Sequence, residues 1–227
     1  MPAILGPHYN QKLMAVDKTQ ILSAALDLLD AVGLEGLTMR RLAQELNIQA
    51  PSLYWHFASR RALLDGMADA MLEPVARSVP KDAQWEQVVR SIAGQMRYAL
   101  RARRDGAKLF AGTYPVSENV LRTGDVLLKA IRTTGCAPKM SGWATFTLLY
   151  YVLGFVIEEQ SVGPSEGESK ISFAVLKDKA ANYSSEHPTL VEALPAIFDE
   201  DFDGRFEFGL DLFLSGLNSV LSKNASR

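Results

Sequence analysis

Apolar residues recur at helical intervals along nearly the whole chain. Ile21, Leu22, Ala25, Leu28, Leu29 and Val32 form one stripe at i, i+3, i+4, i+7 spacing, and Gly33 follows where a left-handed cap would sit. Thr38 is a good N-cap for a short second helix over 39–46, whose buried face is Leu42, Ala43 and Leu46. Asn47, which tolerates the left-handed conformation of a tight turn, interrupts it. Pro51 suits the first turn of a third helix over 51–57. Ser59 caps a fourth, with Leu63, Leu64, Met67, Ala68, Met71 and Leu72 on its apolar face, until Pro74 kinks or ends it. The same periodicity predicts helices over 83–103, 117–134, 139–160, 188–199 and 203–222. Convincing strand alternation and fixed repeats are absent. Residues 161–187, rich in Ser, Glu, Lys and Gly, read as a long mobile loop with a turn of helix near 174–181. The expected fold class is all-α, a three-helix head followed by a helical body.

Composition narrows the class. The 227 residues are 48% hydrophobic and 22% charged, which excludes disordered and fibrous chains. A single cysteine, Cys136, leaves no intrachain disulfide and fits a reducing, cytoplasmic setting. The first basic residue is Lys12 and no apolar stretch precedes it, so no secretory signal is expected. The longest apolar run, 143–157, falls short of the roughly 20 residues that span a bilayer, so no membrane partner is expected.

Net charge is only −2, which argues against a uniformly basic nucleic-acid coat. The charge is unevenly placed, however. Residues 1–80 carry 7 basic and 8 acidic groups, 81–108 carry 7 and 3, and 155–211 carry 4 and 13. The C-terminal third is an acidic surface that phosphate would repel. Any nucleic-acid contact must come from the front.

Residues 38–57, TMRRLAQELNIQAPSLYWHF, have the anatomy of a helix-turn-helix. In that motif the second helix enters the major groove while the first crosses the backbone. Ser52, Tyr54, Trp55 and His56 face outward and can bond phosphates or base edges, or pack on thymine methyls. Arg40, Arg41, Arg60 and Arg61 against Glu45 give the window 38–61 a local +3. A stripe of that kind is enough for phosphate affinity. A plain three-helix bundle, with Tyr54 and Phe57 in its core, reads the same residues otherwise.

The run SLYWHFASRRALLDGMADAML, with the GLT that precedes the motif, resembles the DNA-binding head of the TetR family of transcriptional repressors. RRDGAKLFAGTYP (103–115), LGFVIEEQ (153–160) and FEFGLDLFLSGL (206–217) resemble the ligand-binding body of its tetracycline-repressor class. The resemblance runs from residue 17 onward. It implies a mobile extension at 1–16, a helix-turn-helix domain at 17–62 and a ligand-binding and dimerisation domain at 63–227. It also implies that Thr38 and Arg40 contact the operator, Arg40 reading a guanine. Pro51, Ser52, Tyr54, Trp55 and His56 should face the duplex, and Arg60 should hold a phosphate. Met39 stands where a threonine is usual and Ala50 where a glutamine reads an adenine, so the operator sequence should differ.

By the same resemblance the effector site falls on Ile92, Met96, Phe110, Thr113, Tyr114, Pro115, Trp143, Phe146, Tyr150 and Glu158. Several depart from the tetracycline class. Phe110 and Tyr150 stand in place of histidines, of which the first coordinates magnesium; Tyr114 replaces an arginine and Ile92 an asparagine. Glu158 remains, without its histidine partner. Magnesium needs several oxygens, and one carboxylate is a thin site. A metal-free, mostly apolar or aromatic effector is therefore expected, with no cofactor; the alternative is a tetracycline-type, magnesium-dependent repressor. Trp143 and Phe146 read equally well as core packing.

Helices 139–160 and 203–222 are apolar on more than one face and carry Gly142, Gly154, Gly209, Ser215 and Gly216, where helices could approach closely. Burial inside one body would explain them. Pairing with a second copy as a four-helix bundle is the family's solution, and palindromic half-sites need such a symmetric reader. The implied mechanism is a change in spacing of two recognition helices, ideally about 34–36 Å apart, through a fourth helix over 60–79. His8, His56 and His187 form no metal motif and no phosphate loop is present, so no enzyme is expected. A ligand sensor without DNA binding is the remaining alternative.

Overall fold

The computed structural model describes residues 16–80, 82–162, 172–183 and 186–225. The expected extension falls almost wholly on residues 1–15, outside the described residues. Among the described residues there are eleven helices and no strand. They are α1 (Lys18–Gly36), α2 (Met39–Glu45), α3 (Ala50–His56), α4 (Arg60–Met71), α5 (Trp85–Arg101) and α6 (Gly106–Ala111). α7 (Glu118–Arg132), α8 (Pro138–Ser161), α9 (Phe173–Ala181), α10 (Pro188–Ile197) and α11 (Phe202–Ala225) complete the order.

Local chemistry accounts for the head. Asp17 and Gln20 form a reciprocal capping box on α1, at 2.8 and 3.0 Å. Gly33 leaves helical geometry at φ 72° as expected, although helical turns resume to Gly36. Thr38 Oγ1 accepts the Arg41 amide at 3.2 Å, and Ser59 Oγ accepts that of Ala62 at 3.1 Å. Asn47 is left-handed at φ 52°. Ile21, Ala25, Leu29, Leu42, Ala43, Leu53, Phe57 and Leu63 close over one another as the core of the head.

The body departs from the sequence expectation in three places. α4 stops at Met71 instead of reaching 79, because the chain turns through 72–76 and Ala76 takes a left-handed φ of 57°. α6 is a helix that the pattern did not announce; it starts after a left-handed Asp105 and lasts only six residues, too short for a period to register. Within the expected loop, 173–181 is a full helix capped by Ser172.

α5 and α8 run through the middle of the body, packed on each other and on α7, with α6 and α11 against α8. α8 has 24 residues and is long and apolar enough to cross a bilayer, so the expectation based on a 15-residue run was too short a measure. Its position in the bundle is the better guide. Ser141, Ala144, Leu148, Val152, Leu153 and Val156 are buried within the chain, while Trp143, Phe146 and Tyr150 face outward. α11 behaves alike: Phe206, Leu210, Leu214 and Leu217 point in, and Phe208 and Leu212 point out.

Candidate nucleic-acid interface and ligand site

Ala43 is almost fully buried, and the Ile48 amide donates to its carbonyl at 3.0 Å, so α2 and α3 meet at a tight corner. Leu53 is the one buried residue of α3. Everything on its other face is exposed: Pro51, Ser52, Tyr54, Trp55 and His56, with Trp55 at 89%. With Tyr54 exposed beside it, the indole forms part of an apolar surface of the kind that marks a partner's contact. Thr38 is exposed but spends its hydroxyl on capping. Met39 is buried, which removes it from any phosphate contact.

The four arginines are not equivalent. Arg40 is exposed and has no intramolecular side-chain partner among the described residues. Arg41 donates to the Gly36 carbonyl at 3.3 Å. Arg60 donates to the carbonyls of Leu37 (3.3 Å) and Leu34 (3.2 Å), so the expected phosphate anchor is also a brace between α4 and the end of α1. Arg61 pairs with Asp65 at 3.1 Å and lies 5.9 Å from the Tyr114 ring centre.

The end of α1 is also tied to the turn before α6. Asp105 accepts the Leu34 amide at 3.0 Å; burial pushes its carboxyl up, but that bond, Lys108 and Arg104 together hold it below the usual range. Arg103 pairs with Asp30 at 2.6 Å, and the Arg104 amide donates to Asp30 at 2.8 Å. Head and body therefore touch twice, through α4 and through this cluster.

The expected ligand residues separate into groups. Ile92, Met96 and Phe110 are each buried in the core of the body, and Thr113, also buried, donates to the Phe110 carbonyl at 2.7 Å. Tyr114 is exposed and Pro115 half-buried on the loop between α6 and α7. Trp143, Phe146 and Tyr150 do not join them. They lie at 66, 53 and 66% exposure on the outer face of α8, because its inner face is the row through Ala144, Leu148 and Val152. Glu158 is exposed and accepts from Arg205 at 3.1 Å. A hollow of about 520 Å³ does open beside Ile92, but its other walls are Ser78, Val79, Pro80, Asp82, Ala83, Gln87, Val88 and Ser91. A second hollow, about 670 Å³ and more polar, lies by Trp85, Thr133 and Thr134, away from these residues. No group of three or more His, Cys, Asp or Glu among the described residues could hold a metal ion.

Sequence reasoning missed the ion cluster that ties the body together. Arg97 and Glu159, with side chains only 10 and 7% exposed, pair bidentately at 2.7 and 3.0 Å. Arg97 also reaches Asp203 at 2.7 Å and sits 4.8 and 5.2 Å from the ring centres of Phe206 and Phe155. α5, α8 and α11 are joined at that point. An arginine on the apolar stripe of α5, between Ala93 and Leu100, was the available signal.

Residues 21–67 match the bacterial regulatory proteins of the tetR family, and residues 79–221 match the tetracyclin repressor-like C-terminal domain. The chain belongs to the TetR family. It is 34% identical to the class G tetracycline repressor of Vibrio anguillarum, over 90% of this chain and 95% of that one. With the class A repressor from Escherichia coli it shares 38% identity, over 87 and 88%. Among solved structures, ActR of Streptomyces coelicolor in complex with actinorhodin superposes with a TM-score of 0.80 at 29% identity, covering 91% of this chain and 97% of that one. A single-residue variant of TetR from Acinetobacter baumannii in complex with minocycline gives 0.68 at 33%, covering 91 and 95%. BioQ bound to its double-stranded DNA operator gives 0.63 at 29%, covering 88 and 97%. The all-α TetR architecture and a ligand-responsive repressor function follow from family membership.

Proposed function

We propose that this TetR-family chain binds a palindromic operator as a homodimer in the cytoplasm and is released by a small, metal-free, mostly apolar or aromatic effector. The observation that carries the DNA reading is Trp55, 89% exposed on α3 beside Tyr54, Ser52 and the unpaired Arg40. Selection of bound duplexes from random-sequence DNA, followed by footprinting, tests it. A protected palindrome is expected, and failure to enrich any sequence would leave the sensor without DNA binding.

The outer rows of α8 and α11 support the homodimer. Trp143, Phe146 and Tyr150 on one helix and Phe208 and Leu212 on the other form an exposed apolar face. Gly142, Gly154 and Gly216 have open space where a Cβ would stand, as a second helix pair would require. This assigns Trp143, Phe146 and Tyr150 to the second copy and leaves Ile92, Met96, Phe110, Thr113, Tyr114 and Pro115 for the effector.

Phe110, buried in the same core as Met96 and Ile92, is a surface for apolar or aromatic groups and offers no oxygen or nitrogen to a metal. The closer superposition on actinorhodin-bound ActR than on the minocycline-bound repressor supports the same reading. Identities of 34 and 38% with class G and class A repressors favour the other reading, a magnesium–tetracycline effector. Calorimetry with tetracycline and Mg²⁺ separates them: micromolar, metal-dependent heat would overturn the metal-free assignment. Release requires the effector to prefer the DNA-incompetent state, typically by about 5–150-fold.

A further inference from the structure

α7 begins with a cap that is not in use. Ser117 has the extended backbone of an N-cap residue, φ −143° and ψ 170°, and its carbonyl accepts the Leu121 amide at 2.9 Å. Its side chain nevertheless caps nothing, and its Oγ is buried without a hydrogen-bond partner among the described residues. A buried hydroxyl left in that condition costs free energy, and native structures keep few of them. The amides it would serve are already taken. Those of Asn119 and Val120 donate to Asp69 Oδ1, at 2.9 and 3.0 Å.

Asp69 lies on the last turn of α4, so the helix that joins head to body caps α7 from outside. The fastening is thorough. Asn119 Nδ2 donates to Asp69 Oδ2 at 2.9 Å and to its carbonyl at 3.1 Å. Arg122, one turn along α7, donates to the carbonyls of Leu72 (3.1 Å), Glu73 (2.8 Å) and Val75 (3.1 Å) and to Asn119 Oδ1 (2.7 Å). Gln95 on α5 accepts the amide of Ala76, the left-handed residue that ends the turn, at 2.9 Å.

We propose that Asp69 and Ser117 are alternative caps for α7, and that exchange between them lets the end of α4 leave α7 without stranding amides. In the fastened arrangement Asp69 caps and Ser117 is orphaned. In the released one, rotation of the Ser117 side chain about χ1 brings Oγ to the same amides. Carboxylate and hydroxyl oxygens both cap such amides, so the first-turn donors of α7 have an acceptor at hand in either arrangement. Satisfying the buried hydroxyl offsets part of what Asp69 withdraws. The pair makes a two-state element at the end of the helix that joins head to body. The regulatory half rests on the repressor reading above.

Amide hydrogen exchange at single-residue resolution tests the caps in the full chain, with neither DNA nor effector. S117A is expected to exchange Asn119 and Val120 within about twofold of wild type, because Asp69 holds them. D69A is expected to stay within about threefold, because Ser117 takes over. D69A/S117A is expected to exchange at least about tenfold faster, and D69N/S117A slowly again, because asparagine also caps. D69A exchanging as fast as the double variant, or failing to fold where D69N folds, would overturn the proposal. So would a double variant as slow as wild type. A duplex selected from random-sequence DNA by the wild-type chain probes the regulatory half. D69A should shift its Kd by about threefold or more, while D69N and S117A stay within about twofold; an unshifted D69A refutes that half. If the wild-type chain selects no duplex, the repressor reading fails by itself and amide exchange still decides the caps.

Discussion

The Arg97–Glu159 pair offers the sharpest energetic test. Replacing Glu159 with Gln keeps the volume and one acceptor but leaves Arg97, 10% exposed, without its buried counter-charge. Removing one partner of a buried pair costs about 3–5 kcal/mol. The lower end applies here, because Arg97 keeps Asp203, itself 84% exposed and so a weak partner, and the rings of Phe155 and Phe206. A loss of about 3 kcal/mol in a chain of this size lowers Tm by roughly 6–12 °C, measured at one fixed protein concentration. Replacing both partners, R97M with E159L, should recover most of it, since a matched apolar pair removes both desolvation costs. The effect also has a pH signature. Burial pushes the Glu159 carboxyl up, but Arg97 and Arg101 outweigh it and hold the group below its ordinary range. With the folded value depressed, its stabilisation is complete above the unfolded value near ~4.3 and is lost as pH falls through the folded one. The gap between wild type and E159Q should therefore narrow as pH falls below the unfolded carboxyl range. A loss under about 1 kcal/mol at pH 7, or a double variant no better than E159Q, would refute the reasoning.

Trp55→Ala should weaken binding to the selected duplex by about tenfold or more with Tm unchanged, since the indole covers no part of the fold. A fall in Tm would show that it packs in the head after all. Arg40→Ala should cost about 1–3 kcal/mol of discrimination at one base position, read by competition with single-base variants of the operator. Arg60→Ala should instead lower stability by about 1 kcal/mol in urea melts, through the Leu34 and Leu37 carbonyls. Gly209→Ala should destabilise by about 1–3 kcal/mol, because a Cβ would collide with the Tyr151 hydroxyl, whereas Gly216→Ala meets no atom of its own chain. If Gly216→Ala leaves the dimer intact in analytical ultracentrifugation at micromolar concentration, the outer face of α11 is not where a second copy packs closely.

What could be read from the sequence was local. Thr38 and Ser59 act through bonds to residues three positions away and Asn47 through its own left-handed backbone, so the head's start and stop signals appear wherever the chain is read. Periodicity likewise locates α5, α7, α8 and α11, since each is long enough to show it. α6 is not, and it starts at a left-handed Asp105 whose side chain is tied to the Leu34 amide, a bond across 71 positions. The end of α4 is a similar case. Pro74 marks it only approximately, and Arg122 and Gln95 determine where it turns.

The site was harder to read because its decisions are made between elements. α8 is apolar on every side, so no period distinguishes the row facing the core from the row facing outward. Trp143, Phe146 and Tyr150 and the inner row of Ala144, Leu148 and Val152 satisfy the same pattern. Only the packing of α5, α6, α7 and α11 against it breaks the tie. The four glycines among the small residues divide for the same reason. Gly209 is required inside the chain by Tyr151, while Gly142, Gly154 and Gly216 stay open to a second copy. Charge follows the same rule. Four arginines counted as one +3 patch, yet Arg61 is ion-paired with Asp65, and Arg60 and Arg41 keep their charge but are tied to backbone carbonyls, which leaves Arg40 as the arginine of the motif without an intramolecular side-chain partner among the described residues. DNA affinity from this head should accordingly depend on salt less steeply than four phosphate contacts per subunit would give.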